Sequence, residues 1–276
     1  MPAILMAPAG ADEVPAGRWA RGVELAGRRV TRRGVRMSHT AQVSTAERRV
    51  AIPTALGAMP ARQWLPPRGA GPGILLFQEI FGISPYLERR AADLARAGYV
   101  VLAPEFYWRL GAASVADGPD MLEQGLALVG RLDWDAAVTD ALTAHTWLRG
   151  QPHSSDAVGF VGFCFGGGLA FAAAARADVK PEALVSYYGS ALPALLDLAP
   201  QVRMPSLHHF GSADSYIDAA TVARIRTAVE GPDTEFYTYP GADHAFDNAD
   251  FVTHHPEAAT IAWALTLAFL ARRLPA

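Results

Sequence analysis

The feature that most constrains the fold is a repeated alternation of short apolar runs with stretches of helical spacing. The run GILLFQEI, residues 73–80, lacks the polar alternation of a strand with one wet face, so it reads as a strand covered on both sides. Helical spacing follows in SPYLERRAADLARAGY, with Ser84 placed as N-cap and Pro85 at the first helical position. VVLAPEFY is the next buried strand, which completes a β-α-β unit. The pattern recurs in the helix DWDAAVTDALTAHTWLRGQ, the strand AVGFVGF, an Ala-rich helix over 166–176, and the strands ALVSYYG and SLHHFG. The helix AATVARIRTAV, the strand TEFYTYP and a terminal helix near 257–273 close the chain. Parallel neighbours need crossover connections, so the expected fold class is α/β, a mostly parallel central sheet with helices on both faces. Upstream, RRVAIP and ARQWLPP alternate as two short strands of a hairpin. Residues 108–130 carry less pattern and read as a long connection placed to act as a lid.

Composition narrows the function classes. The chain has 276 residues, 51% hydrophobic and 18% charged, with a formal charge of −3, which fits a globular protein and excludes disorder throughout. The mild acidity argues against nucleic-acid binding, and no window approaches the roughly 20 apolar residues of a membrane span. Residues 1–36 differ: Arg18, Arg21, Arg28, Arg29, Arg32, Arg33 and Arg36 stand among Gly, Ala and Pro without apolar period. They read as an Arg-rich extension ahead of one domain over 45–274, and Met37 is a possible natural start. A solitary cysteine, Cys164, can form neither an internal disulfide nor a cysteine zinc site, so a reducing compartment, the cytoplasm, is expected.

Cys164 lies in Gly162-Phe163-Cys164-Phe165-Gly166-Gly167-Gly168, between a strand and a helix. The spacing is that of the nucleophile elbow G-x-S-x-G with cysteine in the serine position. Glycines are required there because a Cβ on either flank of so tight a turn would strike its neighbours. A helix N-terminus at the sulfur favours a thiolate, and the Phe165 N–H becomes an oxyanion donor. A buried structural cysteine is the bland alternative. A P-loop is unsupported, since no Lys-Ser or Lys-Thr follows the glycines.

Downstream, GSAD places Asp214 after the strand SLHHFG, and GADHAF places His244 after TEFYTYP. Nucleophile, acid and base thus follow in the chain order of hydrolases built on such a sheet, each in a loop at a strand's C-terminal end, where ligand sites of open α/β sheets lie. Asp243 is a poorer acid because it adjoins the ring it would orient, and Asp218 is the better N-cap for the helix that follows. The pairs His208-His209 and His254-His255 do not make a metal site, because strand neighbours point to opposite faces. Near the end of the GILLFQEI run, Glu79 stands at the same edge, where a carboxylate beside a thiol would raise the thiol pKa and could take its proton, and a solvated one would do nothing. The Ile80 N–H is the second oxyanion donor.

Together, QEIFG (78–82), PEFYWR (104–109), GFCFGGG (162–168), YYG (187–189), GSAD (211–214) and GADHAF (241–246) resemble, in order, the motifs of the dienelactone hydrolase family of α/β-hydrolases, also called carboxymethylenebutenolidases. The resemblance covers about residues 45–274 and implies the three-layer α/β-hydrolase fold. It implies hydrolysis of a small lactone or carboxylic ester by a Cys164-His244-Asp214 triad through a thioester, with Glu79 holding or receiving the thiol proton until substrate displaces it. It also implies that Arg109 binds a substrate carboxylate and that Phe81, Tyr187 and Tyr188 line the pocket. Neither cofactor nor metal is expected, and the protein would be a monomer or small homo-oligomer. Asp247 departs from the family pattern, which has a second arginine near this place; a buried carboxylate there would repel an anionic lactone. The rival classes are a thiol-based redox or electrophile sensor and a non-catalytic binding protein on the same scaffold.

Overall fold

In a computed structural model, which describes residues 46–116 and 118–276, the strands form one eight-stranded sheet of order β1-β2-β4-β3-β5-β6-β7-β8. The expected extension over residues 1–36 lies outside the described residues. β1 (Ala46–Thr54) and β2 (Gly57–Leu65) make the antiparallel hairpin, and β2 pairs antiparallel with β4 (Val100–Pro104). From β4 onward every pairing is parallel: β3 (Gly71–Phe77) lies between β4 and β5 (Ser154–Phe163), followed by β6 (Leu184–Tyr187), β7 (Ser206–Gly211) and β8 (Thr234–Tyr239). Parallel pairing puts the C-terminal ends of β3, β5, β7 and β8 on one edge.

Two of the helices form where capping residues in the sequence mark their starts. In α1 (Pro85–Arg96) the Ser84 hydroxyl accepts from the Leu87 amide, and Pro85 needs no partner at the first position. α3 (Trp134–Arg149) and α4 (Phe165–Arg176) pack against each other and on β5. α5 (Ala219–Val229) starts at Asp218, whose Oδ1 accepts from Thr221 N at 2.7 Å. α6 (Pro256–Arg273) lies beside α1, where the Arg90 guanidinium carbon stands 4.2 Å from the centre of the Trp263 ring. The layers on both faces bury β3 and β4 almost completely, which is why those strands are apolar without alternation. Among the described residues no helix is long and apolar enough to cross a membrane.

The structure corrects the reading of residues 108–130 as a weakly patterned connection. They contain a single helical turn at Trp108–Leu110 and a full helix, α2 (Met121–Arg131), between β4 and α3.

Candidate active site

Cys164 sits at the junction of β5 and α4 with φ +54°, a left-handed value that a residue with a side chain adopts only under compulsion. The compulsion comes from close backbone approach on both sides. A Cβ on Gly162 would fall 2.2 Å from the Gly166 carbonyl oxygen, and one on Gly166 would fall 2.4 Å from the Gln78 carbonyl oxygen. The turn is tied down by Cys164 N donating to Tyr187 O at 3.0 Å and by Gly167 N donating to Cys164 O at 3.0 Å. Tyr188 and Ala245, at φ +35° and +57°, are the other described non-glycine residues in this region, and both adjoin the same site.

The loops after β7 and β8 reach the sulfur in series. His244 Nε2 lies 3.2 Å from Cys164 Sγ, and Nδ1 lies 2.9 Å from Asp214 Oδ2, so the carboxylate accepts the Nδ1 proton and leaves Nε2 for the sulfur. Asp214 is fixed in turn, because its Oδ1 accepts from Tyr216 N and Ile217 N at 2.8 Å each. Asp243, the weaker candidate acid, instead pins the two loops together, since its Oδ1 accepts from both Ser215 N and His244 N. Burial would lower the His244 pKa, but the neighbouring sulfur and Asp214 outweigh it and hold the imidazole well above its ordinary value.

Ile80 and Phe165 flank the sulfur. Among the described residues neither amide has an acceptor, as expected for Phe165 at the first position of α4. The Ile80 backbone is held by Tyr107, whose hydroxyl donates to Ile80 O at 2.8 Å. Both residues line a narrow cavity over Cys164, together with Phe81, Phe251, Tyr216 and the α2 residues Leu122, Leu126 and Val129.

Several expected contacts are not made. Glu79 lines the cavity but does not hold the thiol: Asn248 Nδ2 donates to its Oε2 at 2.7 Å and the Tyr188 hydroxyl to its Oε1 at 3.3 Å, while the sulfur faces His244. Arg109 is not at the cavity, because Asp140 accepts from its Nη2 at 2.6 Å and its Nε at 3.0 Å. Tyr187 points away, bonding Thr266 Oγ1 at 2.6 Å, and Tyr188 packs behind His244 and Glu79; of the three aromatic residues expected in the pocket, Phe81 lines it. Asp247 does not face the cavity either. Its carboxylate accepts from Arg90 at 2.6 and 2.8 Å and from the Tyr86 hydroxyl, so the expected repulsion has no source there.

Other residues at the site escape a reading of the sequence. Leu122, Leu126 and Val129 are spaced i, i+4, i+7, a helical signal that Gly125 and Gly130 dilute. Asn248, Ser190 and Phe251 stand in loops and give no local signal.

A doubly covered parallel sheet, a strained cysteine elbow, and an acid and a histidine in successive strand-end loops together define an α/β-hydrolase. Comparison with known proteins sharpens this class. The model of the dienelactone hydrolase family matches residues 59–274. The chain is 33% identical over 221 residues to a carboxymethylenebutenolidase of Pseudomonas sp. (strain P51), covering 79% of this chain and 92% of that protein. It is 32% identical over 209 residues to the carboxymethylenebutenolidase of Pseudomonas putida, covering 75% and 88%. A solved structure from Klebsiella pneumoniae subsp. pneumoniae, provisionally named as a dienelactone hydrolase, superimposes with a TM-score of 0.72 at 27% identity, covering 83% of this chain and 99% of that one. The chain belongs to the dienelactone hydrolase family of ester- and lactone-cleaving hydrolases.

Proposed function

We propose that this protein hydrolyses small carboxylic esters or lactones by acyl transfer through Cys164. The observation that carries the reading is the unbroken series of Sγ, imidazole and carboxylate at 3.2 and 2.9 Å, set beside two amides free to receive an oxyanion. With the thiol proton on His244, the sulfur attacks the substrate carbonyl carbon, and the developing oxyanion accepts from the Ile80 and Phe165 N–H groups. The imidazolium gives its proton to the departing alkoxide, which leaves a thioester on Cys164. His244 then takes a proton from water, the hydroxide attacks the thioester, and the acid departs as the sulfur is restored. Asp214 keeps the imidazole in the tautomer that presents Nε2 to the sulfur. Glu79 acts as a cavity-wall carboxyl and not as the resting partner of the sulfur, since His244 occupies that place. No cofactor enters any step, and a lone functional thiol favours a reducing compartment such as the cytoplasm.

Steady-state rates on a panel of aryl esters, thioesters and lactones test this, with wild type beside Cys164→Ala. The variant should lose about 1000-fold or more in kcat/KM, and acid-quenched wild type should carry the acyl mass on Cys164. Undiminished turnover by Cys164→Ala would refute the assignment, and stoichiometric labelling of the thiol without turnover would move it to the sensor class.

A further inference from the structure

We propose that the cavity selects esters whose acyl group is uncharged and apolar, lays that group against the α2 face formed by Leu122, Leu126 and Val129, and rejects acyl groups that carry a carboxylate. The inference rests on the ester-hydrolase reading above and adds the substrate class.

Its first ground is the wall. Ile80, Phe81, Phe165 and Phe251 line the space over Cys164 together with the three α2 residues, and no lysine or arginine is among the described lining residues. The basic group that does line it, His244, has both ring nitrogens engaged, one by Asp214 and one by the sulfur. The second ground is where nearby guanidinium groups have gone. Arg109 is clamped by Asp140 and Arg90 by Asp247, each through two hydrogen bonds, so neither is free to meet an anion. The third is Glu79, a buried carboxyl within the lining itself. A substrate carboxylate in this space would be stripped of water, find no counter-charge that is not already paired, and face a second carboxyl. An unpaired charge in such surroundings is strongly disfavoured, whereas an alkyl group gains by leaving water.

Gly125 fixes α2 in this role. A Cβ at that position would lie 3.0 Å from Ile80 Cγ1 and 3.2 Å from Phe81 Cδ1, so a glycine lets the helix seat directly on the loop that offers the Ile80 amide. The apolar face of α2 is thereby held next to the reacting carbonyl, and it controls what the acyl chain meets.

The test uses three ethyl esters of nearly equal shape: ethyl 4-methylpentanoate, ethyl succinamate, and ethyl hydrogen succinate, which ends in a carboxylate. At pH 8 the expected kcat/KM for the branched alkyl ester exceeds that for the acid ester by about 100-fold or more, with the neutral amide between them. Leu126→Lys, in which a long side chain at a half-buried position brings an ammonium to the wall, should narrow that ratio by about 10-fold or more. Leu126→Met, which keeps the wall apolar, should keep the preference for the alkyl ester about 100-fold or more, whatever it does to the individual rates. Esters cleaved in a Cys164-dependent manner at rates within about 3-fold of one another would overturn the selectivity while leaving the hydrolase reading intact. A ratio indifferent to Leu126→Lys would overturn the role of α2. If no ester is cleaved, the hydrolase reading fails, and calorimetric binding of the same intact esters decides the selectivity alone. A tenfold or greater preference for the alkyl ester would sustain it, and equal affinities would overturn it.

Discussion

At the scale of single residues, Glu79 makes the sharpest pH prediction. The residue is 1% exposed, and burial pushes its pKa up to about 7, against the opposing pull of the Asn248 hydrogen bond, the His244 charge and the Tyr188 hydroxyl. Between its unfolded value near 4.5 and about 7 the folded protein therefore binds a proton that the unfolded chain has released. The contribution is full below the unfolded value and is lost as pH rises through about 7, so the ionised carboxyl weakens the fold at alkaline pH. Glu79→Gln removes this titration. Urea midpoints at pH 5 and pH 8 should show wild type losing stability relative to the variant as pH rises; parallel midpoints would show that Glu79 ionises as readily in the fold as in the open chain. Cys164, Asp214 and His244 are legible in the sequence because each sits in a short motif whose spacing states its place at a strand end. The engagements of Arg109 and Asp247 are not legible, since their partners lie 31 and 157 residues away and only the packed fold brings them together. An arginine's sequence neighbourhood does not say whether a carboxylate will arrive to occupy it.

At the scale of elements, the elbow is held by an absence of side chains, and its strain is supported by backbone on either side. Gly166→Ala would push a Cβ to 2.4–2.5 Å from the carbonyl oxygens of Gln78 and Phe77, which belong to β3 and the loop carrying Glu79 and Ile80. Backbone at a sheet's centre cannot rotate away as a flexible side chain does, so the substitution should cost about 2–4 kcal/mol in denaturant unfolding. It should also lower kcat more than the loss of folded protein explains, because the Ile80 amide moves with its loop. An unchanged midpoint would mean that the turn tolerates bulk and that its glycines have another reason. Local chemistry likewise decides why α1 and α5 are legible in the sequence and α2 is not. Ser84 and Asp218 are capping residues whose side chains accept from Leu87 N and Thr221 N. Asp120 makes no side-chain cap bond, and two glycines interrupt the apolar stripe of α2. A helix with neither a start signal nor a clean period declares itself only by what it packs on.

At the scale of the whole molecule, the site is a meeting of loops from distant parts of the chain, and something must hold those parts in register. One tie is the Arg90 cluster. From α1, Arg90 donates two hydrogen bonds to Asp247, which lies just after His244, and its guanidinium also stacks over Trp263 of α6. Asp247 is buried, its side chain wholly inaccessible, and it also accepts from Tyr86 of α1. Although burial alone would favour neutral Arg90, the adjacent carboxylate holds the guanidinium charged. Removing one member of a buried pair costs more than the pair contributes, because the remaining charge is stranded without water. Arg90→Ala should therefore destabilise the protein by about 3 kcal/mol, the Arg90→Ala/Asp247→Asn double variant by less, and the difference isolates the stranded carboxylate. Since Asp247 is three residues beyond the imidazole that faces the sulfur, the single variant should also raise the spread of His244 positions and lower kcat, while the double variant recovers part of both. Equal stability losses in the single and double variants would show that Arg90 matters here for its stacking on Trp263 and not for its charge.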